Sequence, residues 1–294
     1  MGNLKELKKR IAGVKSTQKV TKAMRMVAAS KLRRAKEMQE AAKPYSDKML
    51  ALIKHVYSTI EDQSEVPILL SGNLEKNIFL LVVITSDRGL CGSFNASIIK
   101  RALSKADEIM KAGKEVRFFC VGKKAADVFN FLHKDKVLDC VPAKMGKHVN
   151  FIQVKNLFEH LIQLFYQGQF DSCEIVYGKF ISALTQEAST REFIPVDASS
   201  VDQEFKDLNI HFYEYEPDKA EILKNLIEKN LAVQLYYCFL ENAASEHAAR
   251  MTAMENATKN AGDMIDNLTL VYNRTRQAAV TSELIEIISG AEAI

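Results

Sequence analysis

Small or apolar residues recur at alternating steps of three and four through Leu4, Leu7, Ile11, Val14, Gln18, Thr21, Arg25, Ala28, Leu32 and Ala35. Steps averaging 3.5 residues predict a helix packed along one narrow seam, the period of a left-handed coiled coil. The seam is apolar at both ends and polar at Gln18, Thr21 and Arg25. The pattern resumes after Pro44 with Met49, Leu52, Ile53 and Val56. A helix of about 55 residues, about 80 Å long at about 1.5 Å per residue, is expected, with Pro44 as the place where it can bend.

The other end of the chain repeats this pattern. From Val233 the positions are Tyr237, Leu240, Ala244, His247, Met251, Met254, Thr258, Ala261, Ile265, Leu268, Tyr272, Thr275, Ala279 and Ser282. No proline follows Pro217, and Gly262 is the only glycine between there and Gly290. A second helix of about 70 residues, about 105 Å, is expected. Helices with seams this narrow need a partner in water. The nearest partner is the other helix, packed antiparallel, with Ala28, Ala35, Ala244, Ala261 and Ala279 letting the backbones approach.

The middle differs in kind. IFLLVVIT (78–85) reads as a buried parallel strand, followed by the loop DRGLCGSFN and a helix over 96–112. VRFFCVG (116–122) is a second strand, 125–132 a short helix, 151–166 a third helical stretch and CEIVYGKFIS (173–182) a third strand. IHFYEYE (210–216) is a candidate fourth, and the local structure of 123–150 is left open. Continuous apolar strands alternating with helices predict an α/β sheet covered on both faces. The expected fold is therefore an α/β domain over 75–208 inserted between a helix over 1–60 and another over 218–288.

Charge changes the picture of the first helix. Its first 36 residues carry twelve Lys or Arg against one acid, Glu6. The whole 294-residue chain is only +3, so residues 37–294 carry a net −8. Such an element either holds a phosphate backbone or faces an acidic protein surface. Against nucleic acid, the charges run all round the helix, no leucine zipper follows, and base-reading Asn and aromatic residues are thin. With 47% hydrophobic and 26% charged residues, the composition argues against disorder and fibres. The longest apolar run, 78–84, is strand-sized, and the N-terminus lacks the apolar run of a signal peptide, so residence in the cytoplasm is expected.

Candidate chemistry is sparse. DRGLCGSFN (87–95) lies where open α/β sheets place ligands, and Gly89 and Gly92 could offer N–H groups to an anion. Yet neither GxGxxG nor GxxxxGK[ST] is present, which favours a tight turn that redirects the chain. Cys91 stands near Arg88 without a nearby histidine. The five cysteines (91, 120, 140, 173, 238) never show CxxC spacing and read as buried free thiols. The six histidines are dispersed, so no metal or other cofactor and no enzyme activity are expected. Tyr272, Asn273, Arg274, Arg276, Gln277 and Thr281 precede the apolar run LIEII (284–288). They fit either a grip on the loops of a surrounding partner or a solvated helix face.

Three segments carry a resemblance. KKRIAGVKSTQKVTKAMRMVAASKLRRA (8–35), SDRGLCGSFN (86–95) and SEHAARMTAMENATKNAGDMIDNLTLVYNRTRQAAVTSELIEIISGAEA (245–293) resemble, in order and spacing, the gamma subunits of F-type ATP synthases. The resemblance implies a rotor shaft at the cytoplasmic face of a bacterial inner membrane, one copy per complex, with a Rossmann-like domain at its foot. The implied partners are the alpha and beta subunits of the catalytic ring, the epsilon and delta subunits and the membrane c-subunit ring, with no nucleic acid. By similarity, Arg276 and Gln277, with Thr281 close by, would touch the beta loop that catches the shaft. Met24, Glu246 and Arg250 match positions tied to coupling efficiency. Tyr213 and Glu216 fall where the shaft foot meets the membrane ring. The run 284–294 would fill an apolar sleeve at the top of the catalytic ring. The chloroplast form's regulatory cysteine insert has no counterpart here, so redox switching of that kind is not expected.

Overall fold

The strand at 78–84 sends Leu80, Val82 and Ile84 to one face of a sheet and Leu81 and Val83 to the other, as the two-residue period of a strand requires, and all five are buried. The computed structural model describes residues 2–58, 67–71, 77–143, 149–196 and 219–292. In chain order these form α1 (Gly2–Ser58), α2 (Ile68–Ser71), β1 (Ile78–Ile84), α3 (Phe94–Lys111), β2 (Glu115–Val121) and α4 (Lys123–Leu132). A 3-10 turn (Lys134–Lys136) follows, then β3 (Val137–Val141), α5 (Phe151–Tyr166), β4 (Ser172–Phe180), β5 (Gln186–Ile194) and α6 (Lys219–Glu292). They divide into two compact units, Ser30–Ala249, and Met1–Ala29 with Arg250–Ile294.

In the larger unit the strand order is β3-β2-β1-β4-β5. β3, β2, β1 and β4 run parallel, and β5 is antiparallel at the edge. One face packs Leu81, Val83, Phe118 and Cys120 against α3 (Phe94, Ile98, Ala102, Ala106) and α4 (Ala125, Phe129). The other packs Leu80, Val82, Phe119 and Ile175 against α5 (Val154, Leu157, Phe158, Leu161) and against Leu223, Ile227, Leu231 and Leu235 of α6. Each such side chain, fully buried, contributes about 1.5–3 kcal/mol. The first turns of α6 therefore belong to the core of the α/β domain. Gly178 of β4 is what admits α6 so closely. Its N–H donates to Asn242 at 2.9 Å, and a Cβ there would overlap the Phe94 ring at 2.4 Å and press on Ser245.

In the smaller unit α1 and α6 pair antiparallel along the seam read from the sequence. From Leu4 to Ala28 each seam position is buried or half-buried, and nearly every residue off it is exposed. The α6 positions Met254, Thr258, Ala261, Ile265, Leu268, Tyr272, Thr275 and Ala279 follow the same rule, which ends at Ser282, an exposed residue.

α5 matches the expected 151–166, and the three expected strands lie where the apolar runs are, within a few residues. Two further strands carry no such signal. β3 is a five-residue edge strand, half-buried throughout. β5 (QEASTREFI) buries only Phe193 and Ile194, so an edge position leaves it without the apolar run by which a strand is read. α1 continues as helix through Pro44. The candidate strand at 210–216 lies outside the described residues.

Gly122, between β2 and α4, has φ +93°, and a Cβ there would sit 2.4 Å from the Thr85 carbonyl oxygen. Gly113 also has positive φ, +77°, but open space around it. Gly122→Ala should therefore cost at least about 2 kcal/mol and Gly113→Ala about 1 kcal/mol in urea unfolding of the full chain. Equal losses would show that the overlap with Thr85 is relieved without penalty.

Candidate functional site

Four places in the described residues concentrate polar side chains. The loop after β1 is closed on itself. Asp87 Oδ1 accepts from the N–H groups of Lys123 and Ala143, both at 3.0 Å, so this chain's own carboxylate occupies the N-terminus of α4. Thr85 Oγ1 accepts from Ala125 N at 2.9 Å, and Asn95 Oδ1 from Ser86 N at 3.0 Å. Leu90 and Gly92 supply the two positive-φ turns, whereas Gly89 has no such φ. Cys91 is buried, with Asn95 Nδ2 donating to its sulfur at 3.2 Å. The loop is a capped turn from sheet to helix, bonded to its own chain at Ser86, Asp87 and Thr85.

The second place is the polar part of the seam in the smaller unit. Thr21 and Thr258 place their hydroxyls 2.8 Å apart. Thr21 Oγ1 also lies 3.0 Å from the Gln18 carbonyl, and Thr258 Oγ1 2.7 Å from that of Met254. Two hydroxyl protons thus face three contacts, so the pair can redistribute its bonds without moving either helix. Gln18 Nε2 reaches the Thr258 carbonyl at 3.5 Å, and Arg25 pairs with Glu255 at 3.2 Å. Beside them opens a cleft of about 520 Å³ lined by Lys19, Lys22, Arg25, Glu255 and Lys259 among others. Arg10 pairs with Glu6 and Arg33 with Glu37, each one helical turn apart. No acid among the described residues pairs with Lys8, Lys9, Lys15, Lys19 or Lys22. The field of this surface is therefore strongly positive and unneutralised.

The third is the end of α6. The register that sets Thr21 opposite Thr258 and Arg25 opposite Glu255 brings α1 to its start at about the level of Gln277. Arg276, Gln277 and Thr281 are exposed where α6 is losing its partner helix. Past them Leu284, Ile285, Ile287 and Ile288 stand 54–68% exposed, four large aliphatic side chains with nothing over them. Met24 and Arg250 are half-buried in the smaller unit, on α1 and α6, and Glu246 is half-buried on α6 within the larger one. Tyr213 and Glu216 lie outside the described residues.

The fourth has no signal in the sequence, because four elements build it. In the larger unit Glu241 of α6, only 6% exposed, accepts from Gln39 Nε2 of α1 at 3.3 Å and from the Tyr177 hydroxyl of β4. Arg191 of β5 starts from the exposed edge and reaches the Cys238 thiol and Tyr177. Gln39 also bonds the Tyr237 hydroxyl at 3.0 Å. Burial pushes the Glu241 carboxyl above its ordinary range, against the opposing pull of Tyr177, Arg191 and Lys179. Burial likewise pushes the Cys238 thiol up to about 11, opposed by Arg191. The network ties sheet, α1 and α6 together by directional bonds where small residues fill the rest.

The family profile described as ATP synthase matches residues 3–294. The ATP synthase gamma chain of Pelagibacter ubique is 47% identical over the whole of both chains. That of Mesorhizobium japonicum is 45% identical over the same full extent. Among solved structures, a chain in the Tetrahymena thermophila mitochondrial ATP synthase central stalk and c-ring is similar at 27% identity with a TM-score of 0.60. That match covers 81% of this chain and 99% of that one.

The buried carboxylate network sets a pH dependence. A carboxyl whose folded pKa is raised contributes stability below its unfolded pKa, and that contribution is lost as pH rises through the folded value. Wild-type stability should therefore fall relative to Glu241→Gln as pH rises from about 4.5, the ordinary carboxyl value, toward neutrality. Thermal unfolding of both full chains at stepped pH measures it. Curves that stay parallel would show that the carboxyl titrates alike in the folded and unfolded chain.

Proposed function

The chain belongs to the family of ATP synthase gamma chains, and from that premise we propose how its residues serve rotation. It is the central-stalk subunit of an F-type ATP synthase, a non-catalytic member of the complex that couples proton flow to ATP synthesis. Its partners are the alpha and beta subunits, the epsilon and delta subunits and the membrane c-subunit ring. No helix among the described residues is long and apolar enough to cross a membrane. A peripheral position at the cytoplasmic face of the membrane accords with the bacterial relatives.

In this reading residues 1–60 and 218–288 form the shaft and 75–208 the domain at its foot. The observation that carries it is α6 itself. The helix is core in the α/β domain, paired along the seam, and unpartnered from about Thr281 onward. An unpartnered end with exposed aliphatic side chains suits an apolar sleeve, which holds a spinning axle by contacts that are alike at every angle. Just before it, Arg276, Gln277 and Thr281 offer long polar side chains, whose hydrogen bonds to a passing beta loop break and re-form in water at low net cost. Met24, Glu246 and Arg250 are assigned to the levels where the beta lever bears on the shaft, and Tyr213 and Glu216 to the contact with the membrane ring.

The basic belt serves the same end. Exposed lysines attract an acidic ring over about one Debye length, yet each exposed pair contributes only about 0–1 kcal/mol. Attraction that is broad but shallow keeps the shaft centred without trapping it at one angle. Asymmetry of the shaft then biases the three catalytic sites differently, which is a population shift driven by a shared partner. The nucleic-acid reading of the belt has no observation on its side once the seam is occupied by α6.

Reconstitution tests the reading. Alpha and beta subunits should give a cooperative ATPase with the chain present and a different, uncoupled activity without it. Identical hydrolysis in both preparations would sink the rotor assignment. The double variant Arg276→Ala with Gln277→Ala should assemble normally and lose ATP synthesis several-fold in proton-driven vesicles. Unchanged synthesis would remove both residues from the contact.

A further inference from the structure

Cys120 and Cys140 are twenty positions apart in the sequence and adjacent in the fold. β2 and β3 pair in parallel with Cys120 opposite Cys140 in the register. Neighbouring strands lie about 4.8 Å apart, within the roughly 4.4–6.8 Å between Cα atoms that a disulfide spans. The two thiols are close enough that Cys140 adds to the effect of burial in raising the ionisation cost of Cys120. Both face the layer under α4, whose Asn130 donates from Nδ2 to the Cys140 sulfur at 3.5 Å. The accessibilities are unequal in a useful way. Cys120 is fully buried, whereas Cys140 is half-buried on the edge strand. No other two cysteines among the described residues face each other in a strand register.

We infer that Cys120 and Cys140 form a two-electron oxidation site, in which Cys140 meets a peroxide and Cys120 resolves it to an intrachain disulfide. In the first step the Cys140 thiolate attacks one oxygen of hydrogen peroxide. The O–O bond breaks, the departing hydroxide takes a proton to become water, and Cys140 is left as the sulfenic acid. In the second, the Cys120 sulfur attacks the Cys140 sulfur as the S–O bond breaks, and the Cys120 proton leaves with the hydroxyl as a second water. Two thiols lose two electrons and one peroxide becomes two waters. Asn130, donating to the Cys140 sulfur, holds that side chain toward α4. The bond ties the half-buried edge strand β3 to the sheet. This site does not rest on the rotor reading and is separate from any inserted regulatory segment.

The test uses the full-length chain, reduced and then treated with hydrogen peroxide, quenched by alkylation and mapped by mass spectrometry. The expected product has lost two hydrogens, yields one linked peptide containing Cys120 and Cys140, and returns to the free thiols with dithiothreitol. Cys91, Cys173 and Cys238 should remain alkylatable after unfolding. In Cys120→Ser the resolving thiol is gone, so a sulfenic-acid probe should label Cys140 several-fold more than in the unsubstituted chain. Cys140 left unreacted, Cys140 driven to sulfinic acid with Cys120 still free, or equal probe labelling in both chains would each overturn the inference. Should Cys120→Ser fail to fold, the peptide map of the unsubstituted chain decides alone.

Discussion

The constraint on which the structure depends is that a helix of 74 residues must find cover, or a reason for none, along its whole length. α6 meets it in three ways. Leu223, Ile227, Leu231 and Leu235 are completely buried in the α/β core. From the level of Ala244 the helix is covered by a seam of small residues, down to Ala261 and beyond. At its end Leu284, Ile285, Ile287 and Ile288 are more exposed than not. Isolated helices are marginal in water, so the continuity of α6 is supplied by these successive partners and not by propensity. The gradient of burial along one helix thus separates an end held in the α/β core from an end whose aliphatic side chains stand exposed.

The long helices were legible because seams are periodic. Thr21 and Gln18 are polar, yet they sit at seam positions by spacing alone, and there they were found. Strands β1, β2 and β4 were legible because central strands buried on both faces read as apolar runs. β3 and β5 were not, since edge strands keep one side free and carry polar residues such as Glu187, Ser189 and Glu192. The cluster of Tyr177, Arg191, Cys238, Glu241 and Gln39 was illegible for a different reason. Its members come from β4, β5, α6 and α1, and no local pattern records a meeting of four elements. The adjacency of Cys120 and Cys140 was hidden in the same way, because a register brings them together and not a spacing.

The chemistry of the seam suits a part that turns. A wide apolar interface between α1 and α6 would be more stable, at about 25 cal/mol per Å² buried. It would also demand large side chains and a thicker shaft. Alanines let the backbones approach, and the Thr21–Thr258 hydroxyls supply directional bonds at the point where the seam is polar. These bonds fix register, because a one-turn slip would set Thr21 opposite Met254 or Ala261, neither of which can return a hydroxyl bond. Narrowness and fixed register are what an axle inside a ring requires, and both follow from the size of the residues at the seam.

The α/β domain makes the complementary point about where function sits. Its sheet has the architecture that in other proteins opens a crevice for phosphate at the carboxyl ends of the strands. Here Asp87 fills the N-terminus of α4 with a carboxylate and joins it to the chain after β3 through Ala143. A negative side chain in that position repels the ligand the architecture would otherwise invite, and Gly122 seats the turn against Thr85 so closely that no other residue fits. Fold alone would therefore have misdirected the search toward a nucleotide. The side chains redirect it, because Asp87 and Thr85 take up the N–H groups of Lys123 and Ala125 at the head of α4, while positive charge is concentrated along α1.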